Sequence, residues 1–449
     1  MHVVRKLSCM MVLLLKRVIT TLKYIFKWFS LKLNQLLIVI LALVIVCVLC
    51  KVWCGHREEQ LVPRELRNLV RFQEGYTLPL VARNQRQLDQ LAARIDRLNR
   101  DAEIYNWNRW GAHRDDTDIF LIQVHKDVER LQYLIVALGQ VRYIKKAMLI
   151  FSHSYYDDKI NRLIRSIRFA KVMQIYYPYS MQLNPDKFPG ADSEDCNGSV
   201  ACVGRDARRA EHKHHWWWKA HYVFHGFDWS EKHRGMVVFL EENDYVLPDL
   251  LYMLKYARQA ISYFSSAYVV SFGRAWVHGL DHDTLTVDAW HPPYEKGLTF
   301  NRTTWLKIAA LASHFCFYDD ASWSSSLVHL FERFPKGYSD MVATTAPRVV
   351  STRTFSSGRV AAATLSIVAK DSLFPRSVRA VVSFSSGAGG ASRVRHVWRG
   401  ARPAPAGGWA DLRDHLLCLD PLLATTTETL TDTTYMFEQS INKNVSNSL

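Results

Sequence analysis

The chain has 449 residues, 49% of them hydrophobic and 12% aromatic, enough for one large folded domain or two to three smaller ones with accessory segments. Its formal net charge is +15, but the surplus sits in two places. Residues 1–34 hold seven Lys or Arg and no Asp or Glu, and a second block comprises Arg353, Arg359, Arg376, Arg379, Arg393, Arg395, Arg399 and Arg402. No nucleic-acid-binding motif accompanies either block, which argues against a nucleic-acid partner.

Leu36 to Cys50 is an unbroken apolar run, and Val52, Trp53 and Cys54 extend it past Lys51 to roughly the length that spans a bilayer. Lys16, Arg17, Lys23, Lys27 and Lys32 precede it, whereas Arg57 is mixed with Glu58 and Glu59 after it. The positive-inside rule then predicts a cytosolic N-terminus (1–34), a signal anchor (35–54) and a luminal remainder. A cleaved signal peptide is disfavoured by the long cationic flank and by the lack of a small-residue cleavage site. Residues 55–115 read as a helical stem, with Leu88, Leu91, Ile95 and Leu98 at a/d spacing, suited to a spacer or a homodimer contact.

Four cysteines are then luminal, in an oxidising compartment. Cys196 and Cys202 are close enough for a small disulfide loop, which leaves Cys316 with Cys418. No paired C-x-x-C motif suggests zinc. Sequons at Asn197, Asn301 and Asn444 are usable only on the luminal side.

From residue 118 the hydrophobic period alternates between strand and helix. Strands are predicted at Ile119–His125, Ala147–His153, Val172–Tyr177 and 236–240, with helices at Val128–Leu138, Ile160–Phe169 and Lys213–His225. Such an order predicts an α/β domain with parallel strands and a ligand crevice at their carboxyl ends. No G-x-G-x-x-G or G-K-[ST] loop is present, which disfavours dehydrogenases and P-loop enzymes. The apolar run Val237–Leu240 leads directly into Glu241, Glu242, Asn243 and Asp244, an acidic bend where a divalent cation could meet a nucleotide diphosphate. In His214-His215-Trp216-Trp217-Trp218-Lys219, successive helical positions are rotated by about 100°. Three indoles in a row therefore predict that some ring meets something other than the domain's own interior: a sugar on an aromatic face, or a neighbouring surface against which the helix packs. His221 and His225 are four apart, but with no H-E-x-x-H they predict ordinary polar contacts.

K-H-H-W-W-W-K at 213–219, F-L-E-E-N-D-Y at 239–245 and C-F-Y-D-D at 316–320 together resemble the N-acetylglucosaminyltransferase II family, the α-1,6-mannosyl-glycoprotein 2-β-N-acetylglucosaminyltransferases. Q-V-H at 123–125, I-F-S-H at 150–153, Y-P-Y-S-M-Q-L at 177–183, F-P-G-A-D at 188–192 and G-L-T-F-N-R at 297–302 extend the likeness over residues 115–350. The resemblance implies a GT-A, Rossmann-like domain at 116–350, in the Golgi lumen. It also implies inverting, Mn2+-dependent transfer from UDP-GlcNAc to the 2-hydroxyl of the α1,6-arm mannose of an N-glycan. Gln123, Val124, His125, Lys126, Asp127 and Ser154 would then contact the donor. Glu211, His212, Lys213, His214 and His215 would line the substrate site, and Glu242, Asn243 and Asp244 would form the metal motif.

Some positions depart from the family pattern. Asn243 stands where the family has its metal-binding Asp, and Lys126-Asp127 replaces Asn-Arg. Ser324 occupies the position of the general base, leaving Asp319 and Asp320 as the nearby carboxylates. After Val350 the likeness stops and a Ser-, Ala-, Arg- and Gly-rich tail begins, which suggests a shifted reading frame or a mispredicted exon over 351–449. Two further readings follow from these departures. One is a non-catalytic, membrane-anchored glycan- or nucleotide-sugar-binding relative. The other, a structural coiled-coil membrane protein, explains only the first 115 residues.

Overall fold

The computed structural model describes residues 18, 21, 40–49, 64–70, 84–190, 205–264, 267–273, 281–352, 373–382, 384–385, 394–395 and 405–420. Two units compose the chain, residues 1–67 and 68–449. In the first, residues 40–49 are helical and expose Leu41, Val44 and Leu49. Among the described residues no helix is long and apolar enough to cross a membrane. The remainder of the expected anchor, 35–39 and 50–54, lies outside them, as do Cys196, Cys202 and the sequons at 197 and 444.

The second unit is built on strands whose side chains are apolar on both faces, as parallel strands covered by helices require. Strand β1 (Ile119–Val124), helix α2 (Val128–Gln140), β2 (Met148–His153), α3 (Asp158–Arg165) and β3 (Lys171–Tyr176) alternate as the periodicity predicted. Asp127 and Asp157 cap the two helices, accepting from the Arg130 and Ile160 N–H groups. Helix α4 (Ala207–His225) then crosses to β4 (Val237–Glu241), which turns sharply into β5 (Asp244–Val246).

A second group of elements follows: α5 (Leu250–Tyr263), β6 (Ala267–Ser271), β7 (Thr284–Ala289), β8 (Thr299–Phe300), α6 (Arg302–Ala309), α7 (Ala312–Cys316), α8 (Trp323–Phe331), β9 (Asp340–Thr344), β10 (Val349–Ser351) and β11 (Arg379–Val382). Among the described residues a nine-stranded sheet forms, of order β11-β7-β9-β6-β8-β4-β1-β2-β3. Its β4-β1-β2-β3 portion is parallel throughout, with β1 between β2 and β4. Strand β8 joins the two halves by antiparallel pairing with β4 and β6. The result is a mixed α/β fold dominated by parallel strands.

Two expectations change. The expected stem is not a free spacer over its last part. Helix α1 (Gln85–Asp101) buries Leu91 and Ile95 against Tyr156, Tyr176 and Leu183 of the same chain. The Asn99 Nδ2–H donates to the Tyr176 carbonyl and the Tyr176 N–H donates to Asn99 Oδ1, both at 2.7 Å. The apolar stripe is thus spent on the β3 edge of the domain and is not open for a dimer seam.

The tail also returns to the core. Residues 405–420 include α9 (Leu412–Leu419), and Trp409 is fully buried with its Nε1–H donating to the Cys316 carbonyl at 2.7 Å. Asp414 binds Arg205 and His214, and Cys418 forms a disulfide with Cys316, as the remainder pairing required. A low-order, frame-shifted tail is incompatible with this packing at 405–420. Most of the rest of 351–449 lies outside the described residues.

Candidate active site

The carboxyl ends of β1 and β4 lie side by side, with Gln123 in register with Glu241. Just beyond them the bend at 241–244 meets the loop at 125–127. The His125 N–H donates to Glu242 Oε2 at 2.7 Å, and the Asp127 N–H donates to the same oxygen at 3.3 Å. Burial raises the Glu242 carboxyl pKa, and these two bonds oppose the rise. Glu242 therefore fixes the expected donor loop. His125 Nδ1 shares a 2.6 Å hydrogen bond with Ser154 Oγ, and Gln123 Nε2 reaches the His212 carbonyl at 3.5 Å. Lys126 lies with its Nζ 4.2 Å from the centre of the Tyr155 ring. Gln123, Val124, His125, Lys126, Asp127 and Ser154 are thus gathered at one end of β1 and β2.

A lysine sits against the expected metal motif. Lys296 places its Nζ 2.8 Å from Glu241 Oε2 and 3.3 Å from Asp244 Oδ1. Asp244 Oδ2 accepts the Glu241 N–H at 2.8 Å, and Glu241 Oε1 lies 3.4 Å from His212 Nε2. Burial disfavours the charge on Glu241, but Lys296 and His212 outweigh it and hold the carboxyl well below its ordinary range. Asp244 is pushed up to about 6, chiefly by burial, against the pull of Lys296. Asn243 is buried, and its carbonyl accepts the Thr352 N–H at 2.7 Å. Among the described residues, no group of three or more His, Cys, Asp or Glu side chains is disposed to hold a metal ion. Asp244 Oδ1 is buried with no hydrogen-bond partner, and the amide contacts of Glu242 are on Oε2, so the bend keeps oxygens of the kind a hard cation recruits, with Lys296 beside them.

Helix α4 corrects the substrate-site expectation residue by residue. His212 alone presents a substantially exposed side chain, 40%, beside Glu241. Glu211 is buried and accepts the Met181 N–H at 2.7 Å; burial lifts its carboxyl pKa to about 7. Lys213 is fully buried, donating to the Asp320 carbonyl at 2.8 Å and lying 3.8 Å over the Trp409 ring. His214 binds Asp414 at 2.8 Å, and His215 shares a 2.7 Å bond with Ser152. Lys213, His214 and His215 therefore hold the fold together and do not line a cleft.

The indoles are buried as well, contrary to the sugar-stacking expectation. Trp216 stacks on Trp323 at 4.6 Å, Trp217 on Phe315 at 4.2 Å and Trp218 on Tyr222 at 4.8 Å. The reason is enclosure. The sheet, α7–α8 and the segment at 405–420 surround α4, so rings pointing in three directions all meet protein. His225 accepts the Trp305 Nε1–H at 3.0 Å and His221 packs against Trp305, the ordinary contacts expected of this pair.

The two carboxylates expected near the base position are structural. Asp319 Oδ1 accepts the Trp409 N–H at 3.0 Å, while Asp320 accepts the Ser322 N–H at 2.7 Å and the Ala406 N–H at 3.1 Å. Ser324 is buried and shares a 3.0 Å bond with Ser322. A further carboxyl, that of half-buried Glu295, is near enough for Lys296, Ser324, Glu241 and His212 to act on its charge. Burial raises its pKa, with Lys296 and Ser324 opposing. Sequence reasoning passed over Glu295 and Lys296, whose only signal was a charged pair directly before the G-L-T-F-N-R block.

Comparison with known proteins decides the lineage. The model of the N-acetylglucosaminyltransferase II family matches residues 92–418, well over half of the chain. The chain belongs to that family. The match runs through the segment at 405–418 that closes the core, beyond the point where the likeness had ended on inspection. The rat α-1,6-mannosyl-glycoprotein 2-β-N-acetylglucosaminyltransferase is 29% identical, over 74% of this chain and 81% of its own length. The human protein of that description is 27% identical over 72% and 77%, and the one from Arabidopsis thaliana 29% over 47% and 52%. Among solved structures, S. aureus TarS 1–349 aligns at 8% identity over 53% of this chain and 60% of its own, with a TM-score of 0.30. At that level the likeness constrains nothing further. Membership makes this chain a glycosyltransferase of the N-acetylglucosaminyltransferase type, in N-glycan processing.

Proposed function

We propose that the chain transfers GlcNAc from UDP-GlcNAc to the 2-hydroxyl of the α1,6-arm mannose of an N-glycan, with inversion, on a GT-A-type sheet. Golgi lumen placement behind a type II anchor goes with that reading. Support comes from the family and from one feature of the cleft: a half-buried carboxyl, Glu295, directly precedes Lys296, which pairs with Glu241 at the strand end, and it interacts with Ser324. Glu295 supplies the base that Ser324 cannot be, since a serine hydroxyl is too weakly basic. Its carboxylate takes the proton of the mannose hydroxyl, and that oxygen attacks the anomeric carbon. The bond from that carbon to the diphosphate oxygen breaks on the opposite face and UDP departs with the electron pair. The loop at 125–127, held by Glu242, would seat the nucleotide end of the donor.

The test uses the purified full chain, UDP-GlcNAc and an acceptor glycan already capped with GlcNAc on its α1,3 arm. Turnover should fall on the order of 10²–10⁴-fold in E295Q, the usual scale for removing a general base, with UDP-GlcNAc binding retained. A wild-type chain without turnover would leave only a binding role. An E295Q chain as fast as wild type would remove Glu295 from the chemistry.

A further inference from the structure

One buried carboxylate joins the C-terminal segment to the cleft. Asp320 uses its two oxygens for different parts of the chain: Oδ2 accepts the Ala406 N–H at 3.1 Å, and Oδ1 accepts the Ser322 N–H at 2.7 Å. Around that bridge the two segments run side by side. The Gly407 N–H donates to the Asp319 carbonyl at 3.1 Å, the Ala321 N–H to the Gly407 carbonyl at 3.3 Å, and the Trp409 N–H to Asp319 Oδ1 at 3.0 Å. Lys213 closes the arrangement from α4, donating to the Asp320 carbonyl at 2.8 Å with its Nζ 3.8 Å from the centre of the Trp409 ring.

Ser322 carries the bridge onward. Its side chain caps α8, accepting the Ser325 N–H at 3.4 Å, and its hydroxyl shares a 3.0 Å bond with Ser324. Ser324 in turn interacts with Glu295. A continuous path of contacts therefore runs from Ala406 through Asp320, Ser322 and Ser324 to the carboxyl read above as the base. On the tail side, Gly407 and Gly408 adopt φ +70° and +79°, a left-handed backbone that strains most residues carrying a Cβ. A Cβ on Gly407 would meet nothing within 4 Å, so that glycine answers to conformation and not to space.

We propose that Asp320 is a positioning residue: it ties the segment at 406–409 to the entrance of α8 and so fixes Ser324 against Glu295, making the docked tail a determinant of the rate of transfer. The proposal rests on the transferase reading above, and adds to it a requirement that lies outside the cleft. Misplacing a reacting constellation by about 1 Å can cost on the order of a hundredfold in rate. Loosening the bridge therefore slows turnover even where the fold survives.

The experiment compares the full chain with D320N, G407A and G407N in steady-state turnover of UDP-GlcNAc and the capped acceptor, at a temperature where circular dichroism shows each one folded. D320N keeps the outline of the side chain but turns one acceptor oxygen into an amide donor facing an N–H. Its kcat should fall roughly ten- to hundredfold while KM for UDP-GlcNAc stays within about twofold, since the donor loop is untouched. The acid limb of its kcat–pH profile should move to higher pH, because contact with Ser324 favours the charged form of Glu295. G407A should show the same pattern more weakly, and G407N should restore turnover, since asparagine tolerates left-handed backbone. If D320N and G407A are less stable than the parent but keep its kcat and acid limb, the bridge is purely structural and the proposal fails while the transferase reading stands. A G407N chain as slow as G407A would overturn it too. A parent chain without turnover would remove this proposal and the transferase reading together.

Discussion

Asp414 offers the sharpest test of whether the C-terminal segment is part of the fold. Its carboxylate is fully buried and accepts from Arg205 Nε at 2.7 Å, Arg205 Nη2 at 2.9 Å and His214 Nε2 at 2.8 Å. The Arg205 side chain is 2% exposed, so D414A would strip a guanidinium in the core of the carboxylate that meets it through two nitrogens. Breaking a buried pair from one side costs on the order of 3–5 kcal/mol. R413A is the comparison: Arg413 pairs with Asp411 at 2.8 Å but is itself 35% exposed, so its loss should cost clearly less than that of Asp414. Urea unfolding of the two variants and the parent, followed by tryptophan fluorescence, measures both. Burial works against the Asp414 charge, yet His214 and Arg205 win and hold its pKa below the ordinary 3.8. The stabilisation is therefore present above that value and fades as pH falls beneath it. If D414A unfolds at the same urea concentration as R413A, residues 405–420 do not close the core as described.

W216A should lose roughly 3–5 kcal/mol of stability, because its ring stacks on Trp323 and Phe239 inside the core. A W216A chain of wild-type stability that failed to bind acceptor glycan would restore the sugar platform. E211Q tests a buried carboxyl whose pKa rises from 4.5 to about 7. Because the folded state holds that proton more tightly, its contribution is greatest below pH 4.5, falls as pH rises towards 7, and is flat above. E211Q should abolish that decline, on the order of 3 kcal/mol, in unfolding measured across the range; an unchanged slope would assign it to other groups.

Much of the first half of the sheet was legible in the sequence because its strands are short, fully buried and separated by clear helical periods. Ile119–Val124 and Val237–Glu241 each end where polarity abruptly returns, which located the cleft. The second half was not. Its strand β8 spans only two residues, and β10, three residues paired with β5 outside that sheet, is as short; both pair across long sequence separations, leaving no local period to detect. The cleft's donor loop followed from resemblance, but the roles along α4 did not. Sequence shows that His214 and Trp216 are adjacent to His212, and only tertiary enclosure shows that they face Asp414 and Trp323. Likewise the Glu295–Lys296 pair carries no motif; its chemistry arises from the fold bringing it to Glu241 and Ser324.

Helix α4 has one outcome for the history of this lineage. Consecutive positions from 211 to 218 serve, in turn, a loop amide, the cleft, the Asp320 carbonyl, the Asp414 carboxylate, the sheet and three separate aromatic stacks. A single-residue insertion or deletion upstream within that helix would swing every one of these side chains by about 100° at once. Substrate preference in such proteins can therefore drift through the loops that face α4, while the rod itself tolerates exchange of individual residues but almost no change of length.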